Sequence, residues 1–401
     1  MFLSFSDIRT GVIALLIIIL ALVVTEWLAR RKILPVEISR KILHVTAIAT
    51  CAWVISTFEN RLLLAFVFLL FTVLLWWVTR KNWLSTNNIR SYGIAFFPAA
   101  FALLLFIKGI PQEIIAYAAL TLAVCDAAAG LAGHYLAPRK MRVLFEEKSW
   151  MGFFAFWCSN TILSYFFFNL VSSEAWLFLA AIALLPALTE LFSYKGSDNF
   201  TVPVITALWI CLLLQLPVTV PGEHEAYFDI FGRGSVSELY ATIVMMAALS
   251  LFAVYKKWLT IDGAAAACWM GLLILVTCGP RGFIAPGLFL VCGSLLSKLN
   301  KRSTDRNGRT AIQVFANGIV GVICMLVYAL FYQPEFLYAS LASFCVGICD
   351  SVSSEAGGYW KGRTVDILSF KKVSPGLSGG ISWPGTLAGM AGAALLAGVT
   401  S

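Results

Sequence analysis

Polar and apolar positions fall along this chain in long blocks, with neither the two-residue rhythm of strands nor the one-sided stripe of surface helices. Mostly apolar segments lie near 11–29, 42–58, 61–79, 92–107, 113–134, 150–170, 175–193 and 200–217. A second set lies near 238–255, 263–278, 283–297, 311–332, 336–357 and 383–399. A helix that crosses a bilayer needs roughly 20 such residues. The pattern therefore predicts an all-α polytopic membrane protein with about fourteen transmembrane helices. The first segment is too long, and too poor in small residues at a cleavage position, to be a removable signal peptide.

The polar stretches between segments are not alike. Alternate loops hold 24 of the 29 Lys and Arg residues, among them Arg30, Arg31, Lys32, Arg40, Lys41, Arg139, Lys140, Lys256, Lys257, Lys371 and Lys372. The other side keeps Arg9, Arg61, Lys108, Arg233 and Arg281. Basic loops stay in the cytoplasm, which puts both termini outside, as an even number of crossings also requires. The net charge of +8 is then a topological signal, not a footprint for nucleic acid. A composition 60% hydrophobic and 12% charged, with mean hydropathy +0.86, excludes a soluble enzyme, a disordered chain and a secreted disulfide scaffold. The ten Cys lie almost wholly inside apolar runs, with no Cys-x-x-Cys pair and only three His. They read as small buried hydrophobes.

The longest non-basic polar stretch runs from Pro217 to Glu238. It divides the chain into a membrane module at 1–217, a non-cytoplasmic linker at 218–237 and a second membrane module at 238–401. No residue-by-residue repeat stands out between the modules. Both place an Asp in a small-residue helix ahead of a Lys- and Gly-bearing cytoplasmic loop.

Charged groups at membrane depth cost about 2.5–3.5 kcal/mol on insertion scales, so each needs a reason. In the first module Arg40 and His44 share a helical face, with Lys41 beside them. An interfacial anchor accounts for Arg40 and Lys41 but not for the histidine. Asp126 begins Asp-Ala-Ala-Ala-Gly130, with Gly133 following. Small-residue packing explains the glycines, not the acid. Lys148, Ser149 and Gly152 open a helix, where a cation, a hydroxyl and free N–H groups make a phosphate seat. Glu190 and Ser193 end a segment, and Gly196, Asp198, Asn199 and Pro203 follow. In the second module the candidates are Asp262 and Gly263, Ser297 and Lys298, and Gly308-Arg309 leading to Gln313 and Asn317 on one helical face. Asp350 and Glu355 lie in a later segment. The run Lys371-Lys372-Val-Ser-Pro375-Gly376-Leu-Ser378-Gly379-Gly380 combines cations with glycines whose N–H groups can converge on an anion. Acids near phosphate seats are the setting in which Mg²⁺ binds through one or two carboxylates plus substrate phosphates. Phosphoryl transfer asks for little beyond positioning, a metal and cations. There is no P-loop and no protein-kinase motif set.

At these residues the first module resembles the CTP-dependent phytol/dolichol kinase family. The resemblance rests on Arg40-Lys41-x-x-His44, Asp126-x-x-x-Gly130-x-x-Gly133, Lys148-Ser149-x-x-Gly152 and Glu190-x-x-Ser193-x-x-Gly196-x-Asp198-Asn199-x-x-x-Pro203. It covers most of residues 35–205, in family order. One departure is Met151, where many relatives carry an acid. The second module is similar to the membrane family that contains plant phytyl-phosphate kinase. The carrying residues are Asp262-Gly263-Ala264, Ser297-Lys298, Gly308-Arg309, Gln313, Ala316-Asn317-Gly318, Asp350, Glu355, Lys372, Pro375-Gly376-x-Ser378-Gly379-Gly380-x-Ser382 and Gly385-Thr386. Relatives in that family usually carry further spans after the Gly-rich loop.

Together the resemblances imply a bifunctional isoprenoid salvage kinase. The first half would move phosphate from CTP to a prenyl alcohol (phytol, geranylgeraniol or farnesol). The second half would phosphorylate the monophosphate to the diphosphate. Mg²⁺ is the implied cofactor, CTP the co-substrate, and the bilayer the solvent of the acceptor, with both sites facing the cytoplasm of a bacterial inner membrane. The implied catalytic and metal residues are Asp126, Glu190, Asp198, Asp350 and Glu355, with His44 beside the acceptor hydroxyl. The implied nucleotide and phosphate ligands are Arg40, Lys41, Lys148, Ser149, Gly152 and Asn199, then Lys371, Lys372, Gly376, Ser378, Gly379 and Gly380. Asp126, His44 and Glu190 all remain candidates for the general base. Two rival functions use the same residues: a CTP-dependent lipid cytidylyltransferase, and a transporter of an anionic or phosphorylated lipid.

Overall fold

The computed structural model describes residues 4–81, 93–168, 175–214, 236–299, 308–359, 362–374, 377 and 379–400. The chain forms two compact units, Met1–Glu223 and His224–Ser401. The greater part of the linker expected at 218–237 lies outside the described residues, as do Gly376 and Ser378.

The first unit runs α1 (Phe5–Arg30), α2 (Val36–Thr57), α3 (Arg61–Arg80), α4 (Gly93–Phe106) and α5 (Gln112–Leu120). A five-residue π segment, Thr121–Cys125, joins α5 to α6 (Asp126–Tyr135). A hairpin of β1 (Met141–Val143) and β2 (Glu146–Lys148) precedes α7 (Trp150–Phe168), α8 (Ala175–Phe192) and α9 (Asp198–Leu213). The run Gln112–Tyr135 is the unit's central column, 67% buried against 11% for α1 and 17% for α3. That contrast follows the sequence. The central column is rich in Ala and can be approached closely, whereas α1 and α3 turn Leu15, Leu16, Leu20, Leu70 and Phe71 outward, as lipid-facing helices do. Inside the column the Tyr117 hydroxyl donates to Asn160 Oδ1 at 2.7 Å and lies 2.6 Å from Ser164 Oγ. Arg61 donates to the carbonyls of Leu104 (3.0 Å) and Leu105 (2.8 Å) at the end of α4, where the helix dipole favours a cation.

The second unit runs α10 (Val236–Tyr255), α11 (Ile261–Cys278), a 3₁₀ turn at Pro280–Phe283, α12 (Ile284–Leu299), α13 (Ala311–Phe331) and α14 (Pro334–Tyr359). Then come β3 (Thr364–Asp366), β4 (Lys372–Val373), β5 (Gly380–Ile381) and α15 (Trp383–Thr400). Helix α11 is its buried column, also 67%. The three short strands pair antiparallel in the order β4-β3-β5, with Val365 opposite Lys372 and Asp366 opposite Gly380.

All fourteen apolar segments are helical over most of their described residues. Eight helical runs among the described residues are long and apolar enough to cross a membrane. Others are shorter apolar helices, such as Gly93–Phe106, Trp176–Phe192, Asp198–Leu213 and Ile284–Leu295. At 1.5 Å per residue a helix of this size falls short of a hydrocarbon core about 30 Å thick. Among the described residues, prolines sit beyond the first turn of three helices, at Pro98, Pro186 and Pro203.

Candidate functional site

In the first unit the charged residues converge on one cluster, and each arrives for a local reason. The π segment inserts its extra residue immediately before Asp126. Such insertions re-aim the next helical residue and recur at functional sites. Asp126 Oδ2 accepts from Lys41 Nζ at 2.8 Å and lies 3.5 Å from His44 Nε2. Lys41 and His44 are one turn apart on α2, which explains why both reach one carboxylate. Gly130 makes room for the lysine: a Cβ there would stand 2.9 Å from Lys41 Cε and Nζ.

A second pair faces the first. Lys148, the last residue of β2, donates to Glu190 Oε1 at 2.6 Å and to the Glu190 carbonyl at 3.1 Å. Both side chains are largely buried, 16% and 10% exposed. Burial acts to lower the Lys148 pKa, but the Glu190 carboxylate outweighs it, with Asp198 and Glu146 adding, and the ammonium is held above the ordinary lysine value. Asp198 completes the set, because the charges of Asp126, Lys148 and Glu190 all act on it. Its Oδ1 accepts from the Asn199 N–H at 2.9 Å, and among the described residues it has no ion pair. The hairpin is tied to the α8–α9 turn by the Lys195 N–H donating to Glu146 Oε1 at 2.8 Å. In that turn Gly196 takes φ +82°, a conformation suited to glycine.

The remaining first-unit candidates have more local work. Ser149 caps α7 by accepting from the Gly152 N–H at 3.0 Å. Asn199 Nδ2 donates to the Gly93 carbonyl at 3.0 Å and fixes the start of α4. Arg40 is exposed, and it is Lys41 that reaches the acid.

Mg²⁺ is implied by the resemblance. Among the described residues no three His, Cys, Asp or Glu side chains gather as a preformed metal site. One or two carboxylates plus substrate phosphates is nevertheless the donor set Mg²⁺ takes. Asp126 and Asp198, close enough for their charges to interact, fit that requirement.

The second unit repeats one corner of the first. Cys125-Asp126-x₆-Gly133-x-Tyr135 has its counterpart in Cys349-Asp350-x₆-Gly357-x-Tyr359, and Ser149-Trp150-x-Gly152 in Ser382-Trp383-x-Gly385. The geometry repeats with the letters. The Gly385 N–H donates to Ser382 Oγ at 3.3 Å, as that of Gly152 does to Ser149. A Cβ on Gly133 would stand 3.0 Å from Ser149 Oγ, and one on Gly357 3.2 Å from Ser382 Oγ. A Cβ on Gly152 would meet the Ala129 carbonyl at 3.1 Å, and one on Gly385 the Ser353 carbonyl at 2.8 Å. Ala129 and Ser353 each lie three residues after their aspartate. Short strands precede the capped helix in both units. Sequence inspection misses the repeat because the stretch between its two blocks differs in length.

Around that corner the second unit is more open. Asp350 is exposed on α14, Glu355 is half-buried, and Lys371 and Lys372 are exposed beside the small sheet. The segment from Lys371 to Gly380, expected as a loop, supplies two of the three strands. Asp366 organises its turn, accepting from the Ser369 N–H at 2.7 Å and the Leu368 N–H at 3.1 Å. These bonds hold its carboxyl below the usual range. Asp262 Oδ2 accepts from the Ala311 N–H at 2.9 Å, so this acid holds the start of α13.

No solved structure matches the chain. An uncharacterized membrane protein of Methanocaldococcus jannaschii is 28% identical over 163 residues, covering 39% of this chain and 68% of that protein. One from Synechocystis is 29% identical over 171 residues, 40% of this chain and 66% of that protein. Protein VTE6, chloroplastic, of Arabidopsis thaliana is 29% identical over 154 residues, 35% of this chain and 46% of its own length. The chain thus spans about two thirds of the first two relatives and under half of the third. Its residues 244–401 match the family described as Integral membrane protein DUF92, and with eight helices among the described residues long and apolar enough to cross a bilayer this is an integral membrane protein.

Proposed function

We propose that the protein is a two-step isoprenoid-alcohol kinase. The first unit transfers phosphate from CTP to a prenyl alcohol, and the second phosphorylates the resulting monophosphate. The observation that carries the first step is the cluster in which two lysine–carboxylate pairs, Lys41–Asp126 and Lys148–Glu190, bear on Asp198. Support for the second step comes from the repeated aspartate corner, from the resemblance to the prenyl-phosphate kinase family and from the likeness to VTE6.

In this account the acceptor hydroxyl oxygen bonds to the γ-phosphorus of CTP. The bond from that phosphorus to the β–γ bridging oxygen breaks, and CDP leaves. Asp198, which no lysine holds, takes the hydroxyl proton. Lys41 and Lys148 stand beside the phosphates and offset the charge that spreads over the transferred group. His44 lies on the Asp126 side and orients the acceptor. Mg²⁺, carried in with the nucleotide, would be held by Asp126 and Asp198 and would neutralise phosphate charge. Fourteen crossings with both termini outside, and sites facing the cytoplasm of a bacterial inner membrane, belong to the same proposal.

The test is transfer by purified protein with labelled CTP, Mg²⁺ and farnesol or phytol. The account expects prenyl phosphate and CDP. Pyrophosphate release with a CMP-linked lipid would identify a cytidylyltransferase. No nucleotide turnover, with lipid still crossing vesicles, would identify a transporter.

A further inference from the structure

A cavity of about 220 Å³ opens inside the second unit, between α10, α11, α12, α13 and α14. Its walls are apolar, with Met245, Met246, Leu249, Met270, Ile274 and Phe283 prominent. Three of the chain's eight methionines line it, and methionine walls re-pack around ligands of different shape. Glycines leave the space open, since a Cβ at Gly318 would stand 2.6 Å from Met270 Cε.

The polar lining is concentrated on α13 and the residue before its cap: Arg309, Gln313 and Asn317. Arg309 is 7% exposed. It is positioned by construction: its N–H donates to the Trp258 carbonyl at 2.9 Å, and its own carbonyl accepts from the Thr260 N–H at 3.0 Å. Its guanidinium lies 5.1 Å over the Phe289 ring. Gly293 leaves room for it, because any Cβ there would collide with the guanidinium. Gly308, at φ +94°, permits the close passage past Leu259. Arg309 is the cation among the described lining residues.

We infer that the cavity binds a prenyl monophosphate, its chain among the methionines and its phosphate on Arg309. The inference rests on the two-step kinase reading and names the acceptor site of the second step. Helices α13 and α14 form an antiparallel hairpin in which the Asn317 carbonyl approaches Gly347. One turn further along α14, at the level of Gln313, comes Asp350. Gln313, at the polar end of the cavity, and the repeated aspartate therefore lie at one helical level. The volume sets how much chain is read. A cavity of roughly 150 Å³ takes benzene, so this one takes about nine carbons, close to two isoprene units, and the remainder emerges toward lipid.

Binding is measured without nucleotide, on the full chain in nanodiscs, with labelled farnesyl monophosphate. The inference expects geranyl, farnesyl and phytyl monophosphates to compete within about threefold of one another. Isopentenyl phosphate, farnesol and dioleoyl phosphatidate should compete at least tenfold more weakly. Arg309→Gln should weaken binding at least tenfold and Arg309→Lys less. Ala267→Phe, which fills the apolar part and leaves the cation alone, should weaken it independently. Phosphatidate competing equally would assign the site to a membrane lipid headgroup and overturn the inference. So would farnesyl monophosphate binding that neither Arg309→Gln nor Ala267→Phe changes. Arg309-dependent binding in a protein that transfers no phosphate would leave the site standing and overturn the kinase reading instead.

Discussion

Lys41 and Asp126 are 85 positions apart and meet at 2.8 Å; Lys148 and Glu190 are 42 apart and meet at 2.6 Å. Removing one partner of a buried pair strands a charge, at a cost of about 3–5 kcal/mol. Glu190→Gln should therefore destabilise the first unit by that order, and Lys148→Met/Glu190→Gln by less, as read by thermal unfolding in detergent. Because the Lys148 pKa is raised in the folded protein, the pair's contribution is fully present below the ordinary lysine pKa of about 10.4 and fades above it. The stability gap between Glu190→Gln and the parent protein should stay level from neutral pH to about 9 and shrink only beyond 10.4. A gap that closes near neutrality would mean that Lys148 is not the charge at stake. Gly130→Ala offers a gentler probe. Its methyl would push Lys41 off Asp126, so phosphate transfer to the alcohol should fall about tenfold with little change in unfolding temperature. Full activity in this variant would show that the Lys41–Asp126 contact is not needed.

At the scale of elements, the long apolar blocks were readable from composition alone, because hydrocarbon tolerates little else. The break in the central column was not: Thr121–Cys125 carries no proline or glycine that would announce a π segment. The strands also escaped notice, since two- and three-residue strands are too short to show a period and are built around turns at Leu144 and Phe370, both at positive φ. Candidate residues were legible by type, as acids and cations where a bilayer should exclude them. Their partners were not, because pairing depends on which helices touch. That is why the hydrogen bonds by which Ser149 and Asn199 hold helix starts are not legible in the sequence, and why Arg309 reads there as leading into one face of a helix without its cavity. The repeated corner makes its own prediction. A methyl at Gly385 would stand 2.8 Å from the Ser353 carbonyl, and one at Gly152 3.1 Å from that of Ala129. Gly385→Ala should cost more stability than Gly152→Ala, each on the order of 1–3 kcal/mol for overpacking. The reverse order would mean that the two corners are not equivalent.

For the molecule as a whole, each of the two units has its own buried column, Gln112–Tyr135 in the first and α11 in the second, and the proposal gives each unit one site. In the proposed topology the basic loops of both units lie in the cytoplasm. Single cysteines placed at Arg31 and Lys256 should react with a membrane-impermeant thiol reagent only after the membrane is opened. Cysteines at Glu59 and Lys108 should react from outside in intact cells. The opposite pattern would invert the topology and move the sites off the cytoplasmic face.

The most direct test of two separable phosphorylation steps is a pair of transfer assays on Asp126→Asn and Asp350→Asn, with farnesol and then farnesyl monophosphate as acceptor. The account predicts that Asp126→Asn loses transfer to farnesol and still converts the monophosphate, while Asp350→Asn does the reverse and accumulates monophosphate. Loss of both steps in either variant, or no effect of Asp350→Asn on the second, would contradict it.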